Sequence, residues 1–434
     1  MAIKLFQKKE VNNAGWLIGG RMVQMVLSLF VGLLTARYLG PSNYGLINYA
    51  STYIAFFSSF CTLGINSVIV KNFIDKPEEE GATIGSTLLL RSVCSLLSAV
   101  TIIAVSTIVD KDNPTTIIVV ALCSLALPFQ VFDTINYWFQ AQYKSKITSI
   151  ATLVAYVVTS VYKIILLILG KSVVWFAVAS SVDYVCIAIF LIFAYFKHKG
   201  PKFTFSKSKS KELLSASCHY ILSGMMVAVY GHTDKFMLNH MISETAVGYY
   251  SVAVAICSMW TFVLSAIIDS VVPTILRLHG ESEEEFDRKN RQLYAIVFYI
   301  SVIVSLIFLV FGDYIVLLLY GKEFLPASPV LKIVTWYTAF SFLGVARNPW
   351  IVSKGQQKYL VYIYVIAAIM NVILNFALIP ILGEFGAGLA SLITEISTSI
   401  VIPYFIKGMR KNAKLMINGI LLKDIGLFTS KKNK

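Results

Sequence analysis

Ionisable and amide side chains inside long apolar stretches are where this sequence can do chemistry. A charged group there costs roughly 2.5 to 3.5 kcal/mol on insertion scales, so it must face a cavity or a partner. Arg21, Gln24, Ser28, Gly32 and Thr35 recur at three- and four-residue steps and draw a polar stripe down an otherwise apolar helix. His219, Ser223, Tyr230 and Asp234 repeat the pattern, Arg91, Ser95 and Ser98 form a third such face, and Asn371 with Asn375 a fourth. These stripes are expected to line one aqueous cleft. Arg21 and Arg91 lie six or seven residues in from the same end of their stretches, roughly 9 to 10 Å at 1.5 Å per residue. Two cations at matched depth suit an anionic ligand, and a guanidinium offers paired N–H donors to phosphate oxygens. Snorkelling to the headgroups is the alternative for both, and is the expected behaviour of Arg347.

Asp183 and Glu395 fall nine or ten residues into their stretches, close to mid-membrane, and are candidates to carry a coupling ion. A carboxylate bonded to a nearby serine or lysine is the structural alternative. Asp234, followed by Lys235, is a third candidate, and equally half of an interhelical ion pair with Lys163 as its partner. Asp133 and Asp269 sit near span ends and are weaker candidates.

The elements that must position these groups are membrane helices. Of 434 residues 57% are hydrophobic and only 14% charged, where a soluble chain carries about 25% charged residues. Twelve apolar stretches are long enough to cross roughly 30 Å of hydrocarbon: 14–36, 44–68, 84–109, 115–139, 147–170, 173–196, 213–241, 246–272, 292–320, 329–352, 359–382 and 386–410, numbered here as spans 1 to 12. Lys and Arg divide 27 to 4 between the loops on the terminal side and those opposite, which places both termini in the cytoplasm. That bias accounts for the net charge of +14 without nucleic acid as a partner. The break around Lys197 to Lys211 reads as a flexible cytoplasmic linker. The expected organisation is a six-helix bundle over 1–196, a linker at 197–212, a second bundle over 213–410, and a basic tail at 411–434. Within the tail Ile417, Ile420, Leu421 and Phe428 suit a helix lying on the membrane surface. Six spans per half make any repeat a parallel one.

No soluble-enzyme motif survives inspection. Gly170-Lys171-Ser172 resembles the end of a phosphate-binding loop, but Ile165 stands where its first glycine belongs. The five histidines lack metal-ligand spacing, the six cysteines lie in apolar segments without motif spacing, and no external loop exceeds about ten residues. Neither an enzyme nor a resident cofactor or metal is expected.

The segment Ala36-Arg37-Tyr38-Leu39-Gly40-Pro41-Ser42-Asn43-Tyr44-Gly45 resembles the signature of polysaccharide repeat-unit flippases, which belong to the multidrug/oligosaccharidyl-lipid/polysaccharide exporter superfamily. Asn136-Tyr137-Trp138-Phe139-Gln140, Asp234-Lys235 with Gly248-Tyr249-Tyr250, and Asn371 to Asn375 with Ile379-Pro380 and Gly386-Ala387 are similar to later family motifs in the same order. Ala141 and Gly388 depart from the usual pattern. The resemblance implies an all-α protein of about twelve helices in two bundles around a V-shaped cavity. It also implies alternating access, coupling to a proton or sodium gradient, and an undecaprenyl pyrophosphate-linked O-antigen, capsule or exopolysaccharide unit as cargo. Arg21, Gln24, Ser28, Arg91, Tyr230, Asn371 and Asn375 are then the expected substrate-binding residues, and Glu395, Asp183 and Asp234 the ion-coupling ones. The chain is expected in the bacterial cytoplasmic (inner) membrane, with membrane lipids, a polysaccharide polymerase and other envelope assembly proteins around it. A cation-coupled multidrug exporter of the same superfamily, a membrane oligosaccharide polymerase and a scaffold are the competing readings.

Overall fold

The computed structural model describes residues 8–423, with the side chains of residues 8–15, 17, 18, 21, 67, 219, 220, 222 and 223 outside the description. Helices dominate, and no strand occurs among the described residues. Nine helices among the described residues are long and apolar enough to cross a membrane. Two of them, Met22–Thr62 and Lys358–Phe405, run to 41 and 48 residues, about twice the roughly 20 that a bilayer core needs. Each is a pair of spans joined at a glycine with positive φ, Gly40 at 69° and Gly383 at 58°. Glycine holds that backbone without a Cβ clash, which is why spans 1 and 2, and spans 11 and 12, reverse direction almost without a loop. With each pair counted as two and span 7 carried by Lys207–Met241, the chain is an all-α multi-pass membrane protein in keeping with the twelve spans expected.

Span 5, Ser145–Ile168, shows why these helices suit lipid. Ala151, Ala155 and Thr159, four residues apart, are buried, while Val154, Val157, Val158, Val161 and Ile165 are exposed. Lipid tails are as apolar as leucine, so helices associate by close packing of small residues instead of by hiding large ones. Span 9 follows the same rule within Glu283–Tyr320, with Ser301 and Ser305 buried and Ile303, Val310 and Phe311 exposed. Helix starts are fixed locally. Ser282 accepts a hydrogen bond from the Glu285 amide at 3.4 Å, and Glu283, Glu284 and Glu285 complement the positive end of the helix dipole.

The chain divides into two compact units, Met1–His232 and Thr233–Lys434. The core of the first gathers Ile65, Ile84, Phe139, Tyr195 and Leu213. Trp138 of the Asn-Tyr-Trp-Phe-Gln motif packs 4.9 Å from the Tyr195 ring and donates its indole N–H to Glu80 at 2.8 Å, so that motif holds the bundle together. The segment expected as a flexible linker is strapped to this unit. The Thr204 amide donates to the Gly81 carbonyl at 3.1 Å and the Ser206 amide to Ser86 Oγ at 3.0 Å. Lys209, only 3% exposed, reaches Glu79 at 2.5 Å, Asn72 at 2.8 Å and Glu212 at 3.3 Å. Hydrogen bonds from Lys76 and Lys209 hold the Glu212 carboxyl below the usual carboxylate range.

The second unit centres on Leu264, Phe286, Tyr294, Leu343, Trp350 and Ile363. Its tail helix is Arg410–Ile420, earlier than the amphipathic stretch expected, and Phe428 lies outside the described residues. Ala413 and Met416 are buried, Asn412 donates to the Tyr294 hydroxyl at 2.7 Å, and Lys411 pairs with Glu283 at 2.6 Å and Asp287 at 2.7 Å. Protein therefore covers the buried face of the tail helix. The two units repeat a local design: buried Trp138 and Trp350 each stand five residues before a positive-φ position, Tyr143 (56°) and Gly355 (63°), and both pairs are 212 residues apart.

Candidate ion-coupling site

A dense polar network inside the second unit forms around Asp234, 5% exposed on Lys207–Met241. Its Oδ1 accepts a hydrogen bond from Asn375 Nδ2 at 2.6 Å, and its Oδ2 accepts from Ser391 Oγ at 2.6 Å and from the Tyr250 hydroxyl at 2.5 Å. Asn375 Nδ2 also donates to Asn371 Oδ1 at 2.9 Å, and Asn371 Nδ2 to Ser391 Oγ at 3.5 Å. Sequence explains the convergence. Asn371 and Asn375 are four residues apart and so share one face of span 11, and the reversal at Gly383 brings Ser391 of span 12 back alongside them. Each hydrogen bond to Asp234 comes from a neutral donor, with Lys235 next in sequence within electrostatic reach. One acceptor is left over, since Asn375 Oδ1 is buried without a hydrogen-bond partner. Such an orphan costs about 1–3 kcal/mol.

One helical turn beyond Ser391 stands Glu395, half-buried, with Thr398 Oγ1 at 3.5 Å from its carboxylate. Arg347 lies within its electrostatic reach, 2% exposed, and donates to the Thr398 carbonyl at 2.7 Å. The snorkelling expected of Arg347 does not occur, for a local reason. Ser397–Val401 is a π-helical turn, in which a carbonyl looks five residues ahead. For Thr398 that position is Pro403, which has no N–H to give, so the guanidinium supplies the donor. Tyr337 stands within electrostatic reach of both Asp234 and Glu395.

The other expected residues lie elsewhere. Arg91 is 1% exposed and neither snorkels nor opens to a cavity. Its Nε donates to the Cys61 carbonyl at 3.4 Å and a terminal nitrogen to Thr134 Oγ1 at 3.1 Å, with Asp133 within electrostatic reach. Asp183 accepts from Thr159 at 3.4 Å and is the charge partner of Lys163, which corrects the expected pairing of Lys163 with Asp234. Gln24 and Tyr230 are half-buried and Ser28 is exposed. The side chains of Arg21, His219 and Ser223 lie outside the described residues. Three participants escaped the sequence-based site: Tyr250, Ser391 and Tyr337. Tyr250 was signalled by the Gly-Tyr-Tyr motif and Ser391 by its place one turn before Glu395, whereas nothing local marks Tyr337.

Asp234, Tyr250, Asn371 and Asn375 thus bring together motif fragments scattered over some 140 residues, and a sequence profile of the "Polysaccharide biosynthesis protein" family matches residues 34–329. The chain belongs to that family. It is similar to the capsular polysaccharide biosynthesis protein CapF of Staphylococcus aureus, 22% identical over 412 residues, covering 92% of this chain and 99% of the relative. Among solved structures, the lipid II flippase MurJ in an inward closed conformation superposes with a TM-score of 0.70 at 14% identity, covering 96% of this chain and 93% of MurJ. An inward-facing multidrug resistance MATE family transporter of the MOP superfamily follows at 0.67 and 15%, covering 90% and 95%. Family and fold are therefore those of polysaccharide biosynthesis proteins built on the flippase and multidrug-transporter architecture.

Proposed function

We propose that this protein flips lipid-linked oligosaccharide units from the cytoplasmic to the outer leaflet of the bacterial cytoplasmic membrane by alternating access, drawing on a cation gradient. It acts as a transporter and not as an enzyme. The family, and the roles by which CapF and MurJ are named, support a glycan cargo carried on lipid. An undecaprenyl pyrophosphate carrier fits that class. The working halves are 1–196 and 213–410 with both termini cytoplasmic, a reading that rests on the 27 to 4 division of basic residues. Arg21, Gln24, Ser28 and Tyr230 are the side chains offered to the sugar pyrophosphate. The enclosed position of Arg91 favours a scaffold role for it.

The observation that carries the coupling is the Asp234 network, a buried carboxylate whose hydrogen-bonding partners are neutral and can be turned. Hydroxyl groups accept as readily as they donate, and a half-turn of the Asn375 amide replaces its N–H donor with the orphaned Oδ1. Asp234, Asn371, Asn375, Ser391 and Tyr250 then present oxygen atoms alone, the ligand set of a hard cation. A proton on Asp234 is the second way to neutralise it. Either event changes which donors point where on spans 7, 8, 11 and 12, and so shifts the balance between conformers that differ in those contacts.

Cells depleted of the protein test the transport reading. Mass spectrometry of extracted lipids, with an impermeant glycan-modifying reagent, should find one lipid-linked glycan accumulating on the cytoplasmic leaflet. Unchanged lipid pools with lost tolerance to toxic cations would instead select the multidrug-exporter reading.

A further inference from the structure

A cavity of about 380 Å³ lies at the start of span 1 and is lined by Trp16, Gly19, Gly20, Val23, Ser149, Ile150 and Leu153, all within the first unit. Its construction follows from two adjacent glycines with different jobs. A Cβ on Gly20 would stand 3.3 Å from Ser149 Cβ, so Gly20 lets span 1 approach span 5 closely. A Cβ on Gly19 would meet nothing within 4 Å, so Gly19 leaves a trough open beside that contact. At about 30 Å³ per water-sized group, the trough takes roughly a dozen methylene-sized groups. Its polar end is equally defined. Span 5 begins at Ser145, where helix amides carry partial positive charge. Lys144 and Lys146 are exposed there, and the Lys146 ammonium sits 4.8 Å from the Trp16 ring centroid.

We infer that this trough seats the isoprenoid tail of the lipid-linked substrate next to its phosphate. The first few isoprene units lie along Gly19, Val23, Ile150 and Leu153, and at entry, before the pyrophosphate reaches the Arg21, Gln24 and Ser28 stripe, the phosphate faces Lys146 and the amino end of span 5. The inference rests on the flippase reading. Charge complementarity selects the occupant: an apolar slot ending in Lys146, set over the Trp16 ring, and a helix amino terminus matches one slender hydrocarbon chain with a compact anion at its head. A two-chain phospholipid brings twice the hydrocarbon to a slot of this size.

The test is native mass spectrometry of the full-length protein in nanodiscs, titrated with a polyprenyl phosphate and, separately, with phosphatidylglycerol. Wild type should retain the polyprenyl phosphate preferentially. Gly19→Leu projects into the trough from a position where its Cβ meets nothing within 4 Å and should lower that retention about tenfold, the equivalent of two displaced methylenes, while leaving phosphatidylglycerol retention unchanged. Lys146→Glu should weaken polyprenyl phosphate retention to a similar degree through the headgroup. Equal retention of both lipids by wild type, or unchanged retention in Gly19→Leu, overturns the assignment. The flippase reading fails on a different result, namely wild-type proteoliposomes that never move a lipid-linked glycan between leaflets. Parallel thermal melting of Gly19→Leu separates lost binding from lost fold.

Discussion

Each unit buries a charge, and the two are held in opposite ways. In the first, Arg91 gives its hydrogens to a backbone carbonyl and a threonine, with Asp133 within electrostatic reach. In the second, Asp234 is held by an asparagine, a serine and a tyrosine, groups that can reverse their hydrogen bonds in place, and one oxygen in the cluster has no partner. The proposed coupling rests on the second arrangement, a carboxylate held by groups that can turn.

The comparison breaks most visibly at Arg91. Arg91→Ala removes the donor to the Cys61 carbonyl and to Thr134 Oγ1 and the charge near Asp133, and each buried group left without its partner costs about 1–3 kcal/mol. Detergent-solubilised protein should be scarce and melt early on size-exclusion chromatography. A well-folded Arg91→Ala protein that fails only in transport would give Arg91 the ligand role that its burial argues against. Ser391→Ala should act in the other direction, costing less in folding than Arg91→Ala and more in transport. Losing one hydrogen bond to a charged group, about 1.5–3 kcal/mol, should reduce gradient-driven transport about tenfold or more in proteoliposomes. Asp183→Asn keeps the Thr159 contact and alters a charge pair in the first unit only, so its transport rate should stay within about twofold of wild type. The smallest effect belongs to the strap at 198–212. Glu212 has its carboxyl lowered by Lys76 and Lys209, so its contribution is full above the ordinary carboxylate pKa and disappears as pH falls through the lowered one. Limited proteolysis should therefore cut the strap faster in that acid range, and Glu212→Gln should show the acid behaviour already at neutral pH.

Much of this was legible in the sequence because membrane residence is written in length and composition. The spans follow from runs of about twenty apolar residues, and the shared face of Asn371 and Asn375 from their four-residue spacing. Asp234, Asn371 and Asn375 were all identified, yet their meeting was not, because no local period says that span 7 lies against spans 11 and 12. Lys163 was assigned to the wrong carboxylate for the same reason: Asp183 and Asp234 are equally plausible partners until packing is known. Arg347 was misread because depth from a span end argues for snorkelling, whereas its partner is created by a π turn and a proline about fifty residues away. The strap was taken for a flexible linker because serine and lysine read as solvated, while here Lys209 is almost fully enclosed by Asn72, Glu79 and Glu212.

The central claim is that Asp234 carries the coupling ion, and Asp234→Asn reconstituted in proteoliposomes tests it most directly. Asparagine matches the neutralised carboxylate in shape, so the protein should fold, melt near the wild-type temperature and still bind lipid-linked glycan. Transport is then measured with imposed proton and sodium gradients and with none. Wild type should accelerate under one of the two gradients, and Asp234→Asn should run at one slow rate under all three conditions. Wild-type acceleration retained in Asp234→Asn would contradict the account and move the coupling ion to Glu395.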